Sequence, residues 1–144
     1  MQRAAPRTSV VIADDHRDMT AALVELCRAE PGWRVLGTAG TGHDLLALVR
    51  RARPALVITD VNMPGGGEHL VHALRHLACP PTVVVYSALA DGPAAHRLRA
   101  NGAAAVLRKG VDDPLAGARR AIGSDAAAPC RRSELADPRS NHLR

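Results

Sequence analysis

Phenylalanine is absent from this chain, and there is one Trp and one Tyr. A core must therefore come from Ala, Val, Leu and Ile, and the aromatic platforms on which unpaired bases stack are missing. The formal net charge is +5, but arginines and carboxylates are interspersed, which argues against direct nucleic-acid contact by this chain. No apolar run approaches the ~20 residues that span a bilayer. No apolar segment follows the arginines of Met1 to Arg7 either, so neither membrane association nor a secretory leader is expected. Cys27, Cys79 and Cys130 are odd in number and lack metal-ligand spacing, so reduced thiols in a cytoplasmic protein are expected. Lysine is nearly missing too. Lys109 stands alone against 18 arginines, and a lone lysine in that background asks for a reason specific to a compact ammonium group.

What is present is a regular alternation within one domain. Thr8 to Ala13 reads as a buried strand closed by Asp14-Asp15-His16, and Met19, Leu23, Leu26 and Cys27 recur at helical spacing up to Pro31-Gly32. Trp33 to Ala39 is a second strand. Thr41 with Asp44 three residues on resembles a capping box and opens a second helix through Leu45, Leu48 and Val49. Arg50, Arg51 and Arg53 fall in its last turn, where cations suit the helix dipole, and Pro54 ends it. The third strand, Leu56 to Thr59, delivers Asp60 into a loop with Met63-Pro64 and three glycines, read as mobile; a third helix carries Leu70, Leu74 and Leu77. Thr82 to Tyr86 is a fourth strand ending at Ser87, followed by a helix from Pro93 whose chief anchor is Leu98. Ala103 to Arg108 is a fifth strand ending at Lys109, and Pro114 starts a fifth helix through Leu115, Ala118 and Ile122. Five strands alternating with five helices predict an α/β domain, a parallel sheet covered on both faces, over residues 8–123. From 124 to 144 the polar, Pro-containing composition reads as a tail or interdomain linker.

The strand ends carry the chemistry. Asp14 and Asp15 follow the first strand, Asp60 the third, Ser87 the fourth and Lys109 the fifth, and a parallel sheet puts all of them on one edge. Three close carboxylates repel one another unless a cation joins them. Hard oxygen donors at an open site suit Mg2+, which accepts phosphate oxygens, and an aspartate can itself be the nucleophile in phosphoryl transfer. The Ser87 hydroxyl and Lys109 ammonium suit the remaining phosphoryl oxygens. His69, His72 and His76 share one face of the third helix, and a solvated face is the preferred reading over a transition-metal site.

This set, an Asp-Asp pair, Asp60 with Met63-Pro64-Gly65, Ser87 and Lys109, resembles the receiver domain of two-component response regulators, and most of all receivers of the NarL/FixJ type. The resemblance spans Thr8 to Gly123 and implies a flavodoxin-like (βα)5 fold with strand order 2-1-3-4-5. It implies that Asp60 is the phosphoacceptor, that Asp14, Asp15, Asp60 and the Asn62 backbone carbonyl hold Mg2+, with Asp15 the more direct ligand of the pair, and that Ser87 and Lys109 contact the phosphoryl group. It also implies a sensor histidine kinase as donor and a possible homodimer through the fourth helix, fifth strand and fifth helix. Such a protein is a switch rather than an enzyme, catalysing only its own phosphorylation and dephosphorylation. Its expected output is transcription, through a DNA-binding domain absent from this chain. A stand-alone receiver, or a receiver-like interaction module that is not phosphorylated, are the alternatives.

Two departures qualify the resemblance. Many members carry an aromatic residue where Val106 stands, and proline where Gly110 stands. Two other classes fit less well. An aspartate-nucleophile phosphatase needs a second Asp two residues after the first, where this chain has Asn62. A flavodoxin-like cofactor module needs a phosphate-cradling loop, where the first strand here ends in two carboxylates.

Overall fold

The computed structural model describes residues 7–89 and 91–125; most of the segment read as a tail lies outside them. The strands are β1 (Thr8–Ala13), β2 (Trp33–Ala39), β3 (Leu56–Thr59), β4 (Thr82–Ser87) and β5 (Ala105–Arg108). The helices are α1 (Arg17–Ala29), α2 (Gly42–Ala52), α3 (Glu68–Arg75), α4 (Gly92–Ala100) and α5 (Pro114–Ser124). All strand pairs are parallel, in the order β2-β1-β3-β4-β5. This is the flavodoxin-like fold expected from the sequence. The chain reverses its direction of travel across the sheet between β1 and β3, so the crevice beyond their carboxyl ends is the topological switch point.

Side-chain alternation along the strands splits the core in two. Val10 and Ile12 of β1, Leu56 and Ile58 of β3 and Val84 and Tyr86 of β4 face α1 and α5, where they meet Leu23, Cys27, Leu115 and Ala118. Val11, Val57, Val83 and Val85 face the other way, against Leu45 and Val49 of α2, Leu70, Val71 and Leu74 of α3, and Ala95 and Leu98 of α4. Every residue of β3 and β4 is buried, which is why both strands read as continuous apolar runs rather than alternating ones.

The helix boundaries follow local chemistry. The Thr41 hydroxyl accepts a hydrogen bond from the Asp44 N–H at 3.1 Å, so the expected cap of α2 forms. Asp113 Oδ1 caps α5 by accepting from the N–H groups of Leu115 and Ala116 at 3.0 and 3.2 Å. The helix α5 runs through Ser124, and the next residue is held: Thr82 Oγ1 donates to Asp125 Oδ2 at 2.7 Å, with Arg75 Nη1 3.5 Å from the same oxygen.

One expectation is overturned. Cys27 is a free, buried thiol, its pKa pushed up to about 11 by burial and, to a lesser extent, by Glu30. Cys79, however, is disulfide-bonded, and Cys130 lies outside the described residues. Pairing depends on which cysteines the fold brings together, and spacing along the chain carries no record of that.

Candidate functional site

Parallel strands deliver Asp14, Asp60, Ser87 and Lys109 to one edge, and each arrives by backbone pairing. The Asp60 N–H donates to the Ala13 carbonyl at 2.9 Å, which sets the two acidic strand ends side by side. The Lys109 N–H donates to the Ser87 carbonyl at 3.1 Å, aligning the far side of the crevice in the same way. Asp14, Asp60 and Ser87 are only 4%, 3% and 0% exposed, so their polar groups need partners within the protein.

The sole lysine supplies the central contact. Lys109 Nζ lies 2.6 Å from Asp14 Oδ2 and 2.8 Å from Asp60 Oδ2, a single ammonium shared by two buried carboxylates. A point charge with three rotatable donors can bridge two such oxygens, whereas the planar fork of arginine suits one carboxylate bidentately. That geometry gives the reason the composition asked for. Burial pushes the Asp60 carboxyl up, but hydrogen bonds from Lys109 and the Asn62 N–H, the Lys109 charge and the Ser87 hydroxyl outweigh it. The group ends below the ordinary carboxylate value. Burial pulls Lys109 down, and its hydrogen bonds and attraction to Asp14 and Asp60 more than reverse this, so the ammonium is held charged.

The other carboxylate oxygens point elsewhere. Asp60 Oδ1 accepts from the Asn62 N–H at 2.8 Å, and Asp14 Oδ1 accepts from the His16 N–H at 2.9 Å. The exposed Asp15 completes an acidic rim. Ligand atoms of Asp14, Asp15, His16 and Asp60 all lie within 4.8 Å of one another. This donor set, rich in hard oxygens, fits a divalent cation such as Mg2+, with Asp14, Asp15 and Asp60 as the residues that could hold it. Among the described residues it is the one cluster of this kind. His69, His72 and His76 lie outside it, on α3 and its C-terminal end, with the His72 and His76 rings stacked at 4.0 Å.

The loop beyond Asp60, expected to be mobile, is tied to α2 at one backbone position and closed by a turn of its own. The Gly42 N–H donates to the Pro64 carbonyl at 2.8 Å, and the Gly66 N–H to the Met63 carbonyl at 2.8 Å. A Cβ on Gly42 would run into the Gly65 backbone, so α2 can start this close to the loop only with glycine there. Gly110, at φ +79°, takes a conformation that a proline in its place could not adopt. Val106 is 7% exposed and sits in the core cluster that includes Leu98, Ala95 and Ala103.

Sequence reasoning passed over two supporting hydroxyls. The buried Thr59 Oγ1 donates to the Asp60 carbonyl at 2.7 Å, and Thr20 Oγ1 donates to the Asp14 carbonyl at 3.1 Å. The signal for Thr59 was a lone hydroxyl closing an apolar run. His16, next to the acidic pair, likewise gave no sign of a role in the sequence.

A model of the response regulator receiver domain matches residues 10–116, most of the chain. The chain belongs to the response regulator receiver domain family. Among relatives, it is 33% identical over 103 residues to the response regulator GacA of Pseudomonas aeruginosa, covering 71% of this chain and 48% of that protein. It is 35% identical over 104 residues to a protein-glutamate methylesterase/protein-glutamine glutaminase of Myxococcus xanthus, covering 69% of this chain and 29% of that protein. The receiver therefore spans about half or less of these curated relatives. Among solved structures, the signal receiver domain of NarL from Mycobacterium tuberculosis superimposes with a TM-score of 0.74 at 26% identity, covering 83% of this chain and 96% of that one. The protein is thus the receiver domain of a two-component response regulator.

Proposed function

We propose that this receiver, residues 8–123, accepts a phosphoryl group on Asp60 from a sensor histidine kinase and uses it to bias its conformation. The observation that carries the reading is the shared ammonium: Lys109 holds Asp14 and Asp60 together at 2.6 and 2.8 Å at the switch point of the sheet. A buried carboxylate kept ionised below its ordinary pKa is competent as a nucleophile. One Asp60 oxygen attacks phosphorus, the bond from phosphorus to the donor breaks, and the donor leaves with that electron pair. Asp14, Asp15, Asp60 and the Asn62 backbone carbonyl would hold Mg2+, which when bound would offset the negative charge of the incoming phosphoryl oxygens. Lys109 then turns its ammonium toward the phosphoryl group, and Ser87 offers its hydroxyl from β4.

The output is transmitted by movement of the α4–β5–α5 face, which is also the surface proposed for homodimerisation. Residues 124–144 then act as a tail or as a linker to an output domain, with transcription control as the favoured output; GacA is about twice as long as its match to this chain, which leaves room for such a domain. The domain itself is a cytoplasmic switch and not an enzyme acting on external substrates. Among the described residues no helix is long and apolar enough to cross a membrane.

The test is intact mass after incubation with acetyl phosphate, with and without Mg2+, beside Asp60→Asn. A single phosphoryl adduct that requires both the metal and Asp60 is expected. Absence of an adduct together with failure to bind a fluoroberyllate mimic would sink the reading.

A further inference from the structure

The chain leaving α5 is fastened at the end of the sheet opposite to Asp60. Asp125, the residue after α5, accepts from Thr82 Oγ1 at 2.7 Å at the start of β4, and Arg75 Nη1 lies 3.5 Å from the same oxygen. Arg75 also donates to the Pro81 carbonyl at 2.8 Å, and its side chain packs where a Cβ on Gly102, in the turn after α4, would stand. Asp125 is therefore seated on the α3–β4 connection, the stretch that carries Cys79 three residues before Thr82. Cys79 is disulfide-bonded, while Cys27 is a free, buried thiol of α1. Of the chain's three cysteines that leaves Cys130, five residues beyond Asp125. Five residues of extended chain reach about 17 Å, ample for the Cα separation of about 4.4–6.8 Å that a disulfide needs.

We propose that Cys79 and Cys130 form a reversible redox pair that clamps the segment leaving α5 onto the α3–β4 connection. In a reducing compartment disulfides are usually transient and respond to oxidants. The pair is therefore open under reducing conditions and closes when a low-molecular-weight disulfide such as oxidised glutathione accumulates. One cysteine thiolate attacks the small disulfide, and one glutathione leaves; the second cysteine thiolate then displaces the other glutathione from the mixed disulfide. Between them the two cysteines lose two electrons and two protons, and both glutathione halves leave as thiols. Cys27 takes no part, since burial keeps its thiol protonated and out of reach. The closed bond encloses β4, α4, β5 and α5 in one covalent loop, whereas the open form relies on the Asp125 contacts. That loop contains the face proposed to move on phosphorylation. The effect on movement rests on that reading, and the bond itself does not.

The experiment equilibrates the full chain in buffers of varied oxidised-to-reduced glutathione ratio, alkylates free thiols in denaturant and maps the peptides by mass. In oxidising buffer a monomer two hydrogens lighter is expected, with a Cys79–Cys130 cross-linked peptide and Cys27 alone alkylated. In reducing buffer all three cysteines should be alkylated. Asp125→Ala, which removes the hook, is expected to lower the equilibrium constant for closure about tenfold, the worth of one hydrogen bond to a charged group. Amide exchange in the last turn of α5 should be slower in the oxidised chain than in the reduced one, with no such difference in Cys130→Ser. If Cys79 in oxidising buffer is alkylated, capped by glutathione or cross-linked to a second copy, the pairing is overturned. Equal exchange in both forms overturns the clamp while leaving the bond. No phosphoryl donor is present, so failure here is read separately from failure of Asp60 phosphorylation.

Discussion

Helices α3 and α4 cover the same side of the sheet, yet they are fastened differently. The helix α3 buries Leu70, Val71 and Leu74, all at 1% exposure or less, and follows directly from the loop beyond Asp60. The helix α4 buries Ala95 and Leu98, and one ion pair between Arg97 and Glu68 at 2.5 Å links the two helices at the surface. Burying a leucine-sized side chain contributes roughly 1.5–3 kcal/mol, and an exposed ion pair about 0–1 kcal/mol. The side next to Asp60 is therefore anchored by several apolar groups, and the side next to Ser87 by little more than one. Under the switch proposed above, a phosphoryl group on Asp60 would carry limited interaction energy with which to move an element, so the weakly held helix is the one expected to move. The loop beyond Asp60 is by contrast tied to the start of α2 through the Gly42 N–H and the Pro64 carbonyl, as the proposed chemistry beside it would require.

The largest way to disturb this arrangement is at the ionic centre. Lys109→Met leaves Asp14 and Asp60 facing each other without a counter-charge, and is expected to cost about 3 kcal/mol in urea unfolding without metal, with part of the loss restored by Mg2+. The pH profile gives the same answer with its sign. Asp60 titrates below its ordinary 3.8, so its share of stability is present above that value and is lost as pH falls through the lower folded value. Lys109 titrates above its ordinary 10.5, so its share is present below 10.5 and is lost as pH rises through the higher folded value. The gap between the unaltered chain and Lys109→Met should be widest between about pH 5 and pH 10 and narrow at both ends. A gap that does not vary with pH would mean that the lysine acts by packing alone.

Next in size is the direct test of the two helices. Leu74→Ala should cost about 4 kcal/mol and Leu98→Ala about 2 kcal/mol, because the thinner layer around α4 collapses more readily into the space left behind. Equal losses would remove the distinction. Amide hydrogen exchange sharpens it further: α4 amides are expected to exchange through smaller openings than those of α3, and the reverse order would contradict the proposed site of movement. The smallest effect concerns α5. Asp113→Ala removes two bonds to the N–H groups of Leu115 and Ala116 and should cost about 1 kcal/mol, read from the unfolding midpoint, with Asp60 phosphorylation unchanged.

Much of this could be read in the chain before folding. The alternation of apolar runs with amphipathic segments predicted the sheet and its two layers, since side-chain periods of two and of about 3.6 are local properties of the sequence. The Thr41 cap and the approach of Asp14, Asp60, Ser87 and Lys109 to one edge follow from the same local rules once the strands are parallel. The lone lysine among arginines marked itself by composition.

Tertiary structure alone decided the rest. The contact between Lys109 and Asp14 spans 95 residues of sequence, and no short window records which oxygen the ammonium takes. The crossover from β1 to β3 brings Asp60 beside Asp14, and the position of β5 beyond β4 sets the lysine's reach. The disulfide at Cys79, the anchoring of Asp125 by Thr82 and the burial of Val106 in the layer under α4 belong to the same class. Each depends on distance through space between segments that are far apart along the chain. Local sequence sets which elements form, and closing the sheet sets which of their ends meet.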